Sequence, residues 1–139
     1  QCEKYKIPYG LYWFSYAYNK DMAEREADYL LRVIGYHKPE YPLYFDFEYD
    51  SVDYAKKNGV NVTKTLLKSM ATSFCEHLEK NGFYAGIYTN EDYIKNTPQR
   101  YLIGSTYGML DIIQSLIEML IYGKNLQQVK FPVLMEMWI

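Results

Sequence analysis

The carboxylates Asp46 and Glu48, in the segment Pro42-Leu43-Tyr44-Phe45-Asp46-Phe47-Glu48, are the side chains best suited to chemistry in this sequence. In an extended strand alternate residues share a face, so Tyr44, Asp46 and Glu48 point one way and Leu43, Phe45 and Phe47 the other. The Cα atoms of the two acids then stand roughly 6.5 Å apart. Carboxyls this close repel when both are ionised, so one of them should hold its proton to a higher pH. A carboxylic acid that stays protonated can protonate a leaving group near neutrality, while an ionised neighbour steadies positive charge. Both acids fall at the C-terminal end of a strand, where α/β folds place their active sites. An acid-x-acid pair by itself marks a solvated strand end or a cation site as readily as a catalytic pair.

No other cluster competes with it. His37 and His77 stand far apart in the sequence with no acidic or Cys neighbours at metal-ligand spacing, so no metal and no cofactor are expected. Cys75 sits in a helical pattern and reads as a small buried apolar residue rather than half of a bridge to Cys2. A net charge of -2 over 139 residues provides no electrostatic footprint for nucleic acid. The 17 tyrosines suit a wet, partly apolar sugar cleft, although plain packing accounts for them more simply. Asp111, Gln114 and Glu118 break the apolar run Met109 to Ile121, so no membrane span is expected there.

The elements that must position the acids follow from periodicity. Leu11 to Ala17 reads as a strand after the turn residues Pro8 and Gly10. Asn19 or Asp21 caps a helix in which Met22, Ala23, Ala27, Leu30, Leu31 and Ile34 recur at three- and four-residue steps, stopping at Gly35. Leu43 to Phe47 is a second strand. Asn61 or Thr63 opens a helix with the stripe Leu66, Leu67, Met70, Phe74 and Leu78, ended by Asn81-Gly82. Phe83 to Thr89 is a third strand. Strand, helix, strand, helix, strand with short joints predicts parallel strands joined by crossover helices, an α/β sheet or barrel.

These segments together resemble glycoside hydrolase family 25, the lysozymes that cut peptidoglycan between N-acetylmuramic acid and N-acetylglucosamine. Gly10-Leu11-Tyr12-Trp13-Phe14 resembles the family's G-x-Y-W/H-F strand, and Glu26-Ala27-Asp28 its E-A-D/E helix. Asp46-Phe47-Glu48 resembles the D-x-E strand, and Gly82 to Thr89 the G-x-x-x-x-I-Y-T strand, all in order at similar spacing over about residues 7–96. The resemblance implies a fragment of an irregular (β/α) TIM-like barrel. It implies Glu48 as general acid and Asp46 as the assisting carboxylate. Tyr12, Trp13 and Tyr88 match aromatic strand-end positions beside the groove, and Tyr44 shares the face of the acids. The implied substrate is the peptidoglycan glycan strand, cleaved outside the cell or in the wall, with neither nucleic acid nor membrane as partner. The alternative is a carbohydrate-binding module that uses the aromatic cleft without turnover.

The family pattern also has an opening D-V-S/D-x-x-Q-G strand and closing W-x-A-x-Y, W-Q-Y and V-D-G-N-V-D segments, none of which stands in this sequence. Met and Trp have single codons, so Leu134 to Ile139 back-translates with little freedom. Read one base earlier it permits G-[N/D]-V-D, and residues 104–133 permit other family strings in order. Residues 1–98 are therefore expected to be a partial catalytic domain, and 99–139 an out-of-frame remainder that packs poorly and leaves activity impaired. If residues 99–139 are genuine, Met109 to Ile121 reads instead as an amphipathic partner-binding helix.

Overall fold

Two well-capped helices and the strands they deliver carry the architecture. The computed structural model describes residues 1–95, 97–98, 101–104 and 134–135. A short helix α1 (Cys2–Tyr5) precedes strand β1 (Gly10–Phe14). Helix α2 (Lys20–Ile34) starts where the Asn19 side chain accepts the Met22 N–H at 2.9 Å, and ends at Gly35 with φ +58°. Strand β2 (Leu43–Phe47) runs into helix α3 (Tyr49–Lys57). Helix α4 (Lys64–Lys80) is capped by the Thr63 side chain, which accepts the Leu66 N–H at 3.2 Å. Strand β3 (Ala85–Thr89), helix α5 (Glu91–Ile94) and the short strands β4 (Leu102–Gly104) and β5 (Leu134–Met135) complete the described elements.

The strands form one parallel sheet in the order β4-β3-β2-β1-β5, so the chain is an α/β fold. Its central strand is β2, the strand of Asp46. On one face Leu43, Phe45 and Phe47 are fully buried, with Phe45 against Phe74 of α4 at 5.0 Å between ring centroids. Helix α2 contributes Ala23, Ala27, Leu30 and Ile34 to that core, and α4 contributes Leu67, Met70, Phe74 and Leu78. The alanines let α2 lie close against α4. Burying each Leu- or Phe-sized side chain there stabilises the fold by about 1.5–3 kcal/mol. At Gly10 a Cβ would stand 2.6 Å from the Pro42 carbonyl oxygen, so only glycine lets β1 approach the chain entering β2.

Four expectations are corrected by tertiary contacts. β1 ends at Phe14 rather than Ala17: the Ser15 N–H still bonds the Asp46 carbonyl, but the half-buried Glu26 of α2 accepts from the Tyr16 N–H at 3.1 Å and from Ser15 Oγ at 2.5 Å, so the chain leaves the ladder there. β3 begins at Ala85, not Phe83. Glu48 is not a strand residue but the N-cap of α3, a helix that the periodicity did not predict because its buried side is only Ser51, Val52 and Ala55. The histidines do have acidic partners, supplied across the fold: His37 Nδ1 lies 2.8 Å from Glu3 Oε2, and His77 Nε2 lies 2.7 Å from Asp28 Oδ1.

Cys75 is buried beside the Gly86 carbonyl and is in no disulfide. Among the described residues no group of three His, Cys, Asp or Glu side chains could hold a metal ion, and no helix is long and apolar enough to cross a membrane. The expected out-of-frame remainder, 99–139, and the alternative helix Met109 to Ile121 lie outside the described residues, apart from 101–104 and 134–135.

Candidate active site

Strand register assembles the site. Phe14 of β1, Asp46 of β2 and Tyr88 of β3 are in register across the sheet, and Tyr12 and Tyr44 form the row one step toward the N-terminal end. Side chains in register on parallel strands share a face, and this one is opposite to the face that packs on α2 and α4. Tyr12, Tyr44 and Tyr88 therefore lie on the face of Asp46. Trp13 does not. It points to the helix side, where its ring lies 5.6 Å from that of Tyr29 and beside Met22, Arg25 and Glu26, so the structure separates it from the carboxylates.

Asp46 is only 5% exposed, and its Oδ1 has no hydrogen-bond partner among the described residues; the buried Tyr44 hydroxyl has none either. Burial, then the charge of Glu48, then a hydrogen bond with Glu48 push the Asp46 carboxyl up to about 8. Tyr88, half-buried, is raised by burial and by the charges of Glu48 and Asp46 together, which places it beside the pair. The residue that holds its proton is thus Asp46, the deeper of the two.

Glu48 stands at the mouth. It forms a capping box with Ser51, whose hydroxyl accepts the Glu48 N–H at 3.1 Å. Asn90, just beyond β3, donates from Nδ2 to Glu48 Oε2 at 3.4 Å, and its Oδ1 accepts the Tyr49 N–H at 2.9 Å. The backbone beneath is equally fixed. The Ser15 N–H donates to the Asp46 carbonyl at 2.8 Å, and the Thr89 hydroxyl to the Phe47 carbonyl at 2.6 Å. Asn90, Ser51 and Ser15 were not singled out by the sequence reading. The one available signal was that Asn90 follows the strand that ends Ile87-Tyr88-Thr89, so its side chain falls at the same sheet edge as Glu48.

The rim carries further aromatic rings. Phe14, Tyr16 and Tyr54 form a chain with centroids 5.2 and 5.0 Å apart, and on the other side of Glu48, Tyr49 meets Tyr93 at 5.8 Å. A buried, proton-holding carboxyl beside a second one beneath a rim of tyrosines is suited to acid-assisted cleavage of a sugar bond.

The family model for glycosyl hydrolases family 25 matches residues 1–108. Two solved structures of the modular autolysin LytC from Streptococcus pneumoniae, one in complex with a synthetic peptidoglycan ligand, share the fold. They superpose with TM-scores of 0.56 and 0.55 at 21% identity. The match covers 68% of this chain and 22% of each of those chains. No curated protein matches the sequence.

Proposed function

The chain belongs to glycosyl hydrolases family 25, and from that premise we propose that it is a glycoside hydrolase, a peptidoglycan hydrolase of the muramidase type, acting outside the cell or in the wall. The bond is the β-1,4 link between N-acetylmuramic acid and N-acetylglucosamine. The observation that carries the reading is the buried Asp46 carboxyl beside Glu48 at the C-terminal end of the central strand. The LytC structure holding a synthetic peptidoglycan ligand supports the substrate class. We take the parent domain to be a TIM-like barrel. Residues 1–98 are its catalytic part and 99–139 its out-of-frame remainder, which sequencing the gene in all frames tests.

Glu48 is the general acid and Asp46 the assisting carboxylate. In the resting site the proton lies on Asp46, hydrogen-bonded to Glu48. When the glycan seats, the proton passes along that bond to Glu48 and from Glu48 to the glycosidic oxygen. The C1–O bond breaks as the oxygen leaves with the bonding electrons. Asp46, now ionised, faces the positive charge on the muramyl ring or holds its 2-acetamido group. Water adds to C1 and its proton returns to the pair. Tyr12 and Tyr88 line the same face for sugar contact, whereas Tyr44, expected there too, is only 2% exposed and backs the pair from within. Asn90 and Ser51 keep Glu48 at the mouth, where a leaving oxygen can reach it.

Release of reducing ends from purified cell walls tests this. Glu48→Gln should lower the rate by about 10²–10⁴-fold with glycan binding kept, the usual weight of a general acid. A variant that still cleaves at the unaltered rate removes Glu48 from the mechanism. Binding by the unaltered chain with no release under any condition would favour a binding module instead.

A further inference from the structure

Beside the acids lies a second, open cleft of about 540 Å³, lined by Tyr16, Asp50, Asp53, Tyr54 and Lys57. It begins where β1 and the acid-bearing β2 leave the sheet. Tyr16 is two residues beyond Phe14, the register partner of Asp46, and Asp50 is two residues beyond Glu48. Rings connect the two places, since Tyr16 touches Phe14 on one side and Tyr54 on the other. Tyr16 and Tyr54 are 45% and 40% exposed, so their apolar surface is available to a ligand.

The charges decide which ligand. A neutral sugar ring needs a flat aromatic face and hydroxyl partners, not fixed charges of both signs. This cleft presents a cation, Lys57, that has no ion pair among the described residues, and an anion, Asp50, about two turns earlier on the same face of α3; Asp53 is taken up by Lys56 at 3.3 Å. Opposite charges flanking two tyrosines fit a short peptide that carries a carboxylate and the side-chain amine of a diamino acid, the carboxylate to Lys57, the amine to Asp50, and its apolar side chains against the rings. Peptidoglycan offers such a peptide at the right place. Its stem is attached to the muramic acid, the sugar whose bond is cut, so it must leave the groove within one sugar of the carboxyl pair.

We propose that the Tyr16–Tyr54–Lys57 cleft receives the peptide stem and makes the enzyme selective for stem-bearing glycan. This rests on the muramidase reading above.

The test uses the full chain, isotope-labelled, titrated with N-acetylglucosaminyl-N-acetylmuramyl tetrapeptide and with the same disaccharide lacking the peptide. The stem-bearing ligand should bind about fivefold more tightly, in keeping with exposed ion pairs, and should shift the amide signals of Tyr16, Asp50, Tyr54 and Lys57. Lys57→Glu should abolish the difference while the melting temperature and the affinity for the bare disaccharide stay unchanged; Tyr54→Leu should reduce it. Equal affinity for the two ligands, or a preference untouched by Lys57→Glu, overturns the cleft but leaves the hydrolase reading standing. Failure to bind either ligand, together with no release of reducing ends, overturns both.

Discussion

Asp46 concentrates the chemistry because it is placed where a charge is costly. Its ordinary carboxyl value of 3.8 rises to about 8, and the consequence for stability has a definite sign. Below about pH 4 folded and unfolded chains both carry the proton, and Asp46 costs nothing. Above it the unfolded chain ionises while the fold keeps the proton, so stability declines with rising pH until the folded carboxyl also ionises near 8. Asp46→Asn removes that slope. It should be stabilised at pH 7–8 on the order of a few kcal/mol relative to the unaltered chain, and no more stable at pH 4, as measured by urea unfolding at each pH. The same variant should turn over slowly, since an amide can neither pass a proton to Glu48 nor carry its negative charge. Activity of the unaltered chain should fall on the alkaline side near pH 8, where the pair loses its shared proton. A rate that stays level to pH 9 would place the working proton elsewhere.

Among the elements, the link from β1 to α2 has more influence on the site than its length suggests. Glu26 reaches back from α2 to Ser15 Oγ and the Tyr16 N–H, and Ser15 in turn donates its N–H to the Asp46 carbonyl. Glu26→Ala leaves a buried hydroxyl and an N–H without their acceptor, a loss of about 1–3 kcal/mol. It should lower turnover as well, because the end of β1 loosens beside Asp46. Asn19→Ala, at the start of the same helix, removes only a cap and should cost about 1 kcal/mol with turnover unchanged. Comparing melting curves and rates for the two variants separates a helix merely weakened from a strand end displaced. Equal effects on rate would mean that Glu26 acts only through α2 stability.

At the scale of the whole molecule, stability is centred on β2, which has a hydrogen-bonded strand on each side and packs under α4. Phe74 is fully buried against Phe45, so Phe74→Ala should cost about 3–5 kcal/mol by transfer and cavity together, read from chemical unfolding. Amide exchange should be slowest in Phe45 to Phe47 and faster in β1, whose outer ladder to β5 is confined to Gly10–Leu134 and Leu11–Met135. If β1 exchanged as slowly as β2, the sheet would be held from its edge and not from its centre.

The sequence by itself determined the elements whose signals are local. A cap at Asn19 or Asp21 and another at Asn61 or Thr63, Gly35 as a stop, and the alternation of Leu43, Phe45 and Phe47 against Tyr44 and Asp46 all follow from spacings within a few residues, and the structure uses Asn19 and Thr63. It also singled out the carboxyl pair and, through four ordered segments, the family. What depended on distant residues could not be read there. The end of β1 was decided by Glu26, and the hold on Glu48 by Asn90, 42 residues on. Which acid keeps the proton was decided the same way. Asp46 and Glu48 are equal neighbours in the sequence, and only the sheet and helices around them bury one and leave the other at the mouth. Desolvation is set by surrounding volume, and sequence order does not encode it.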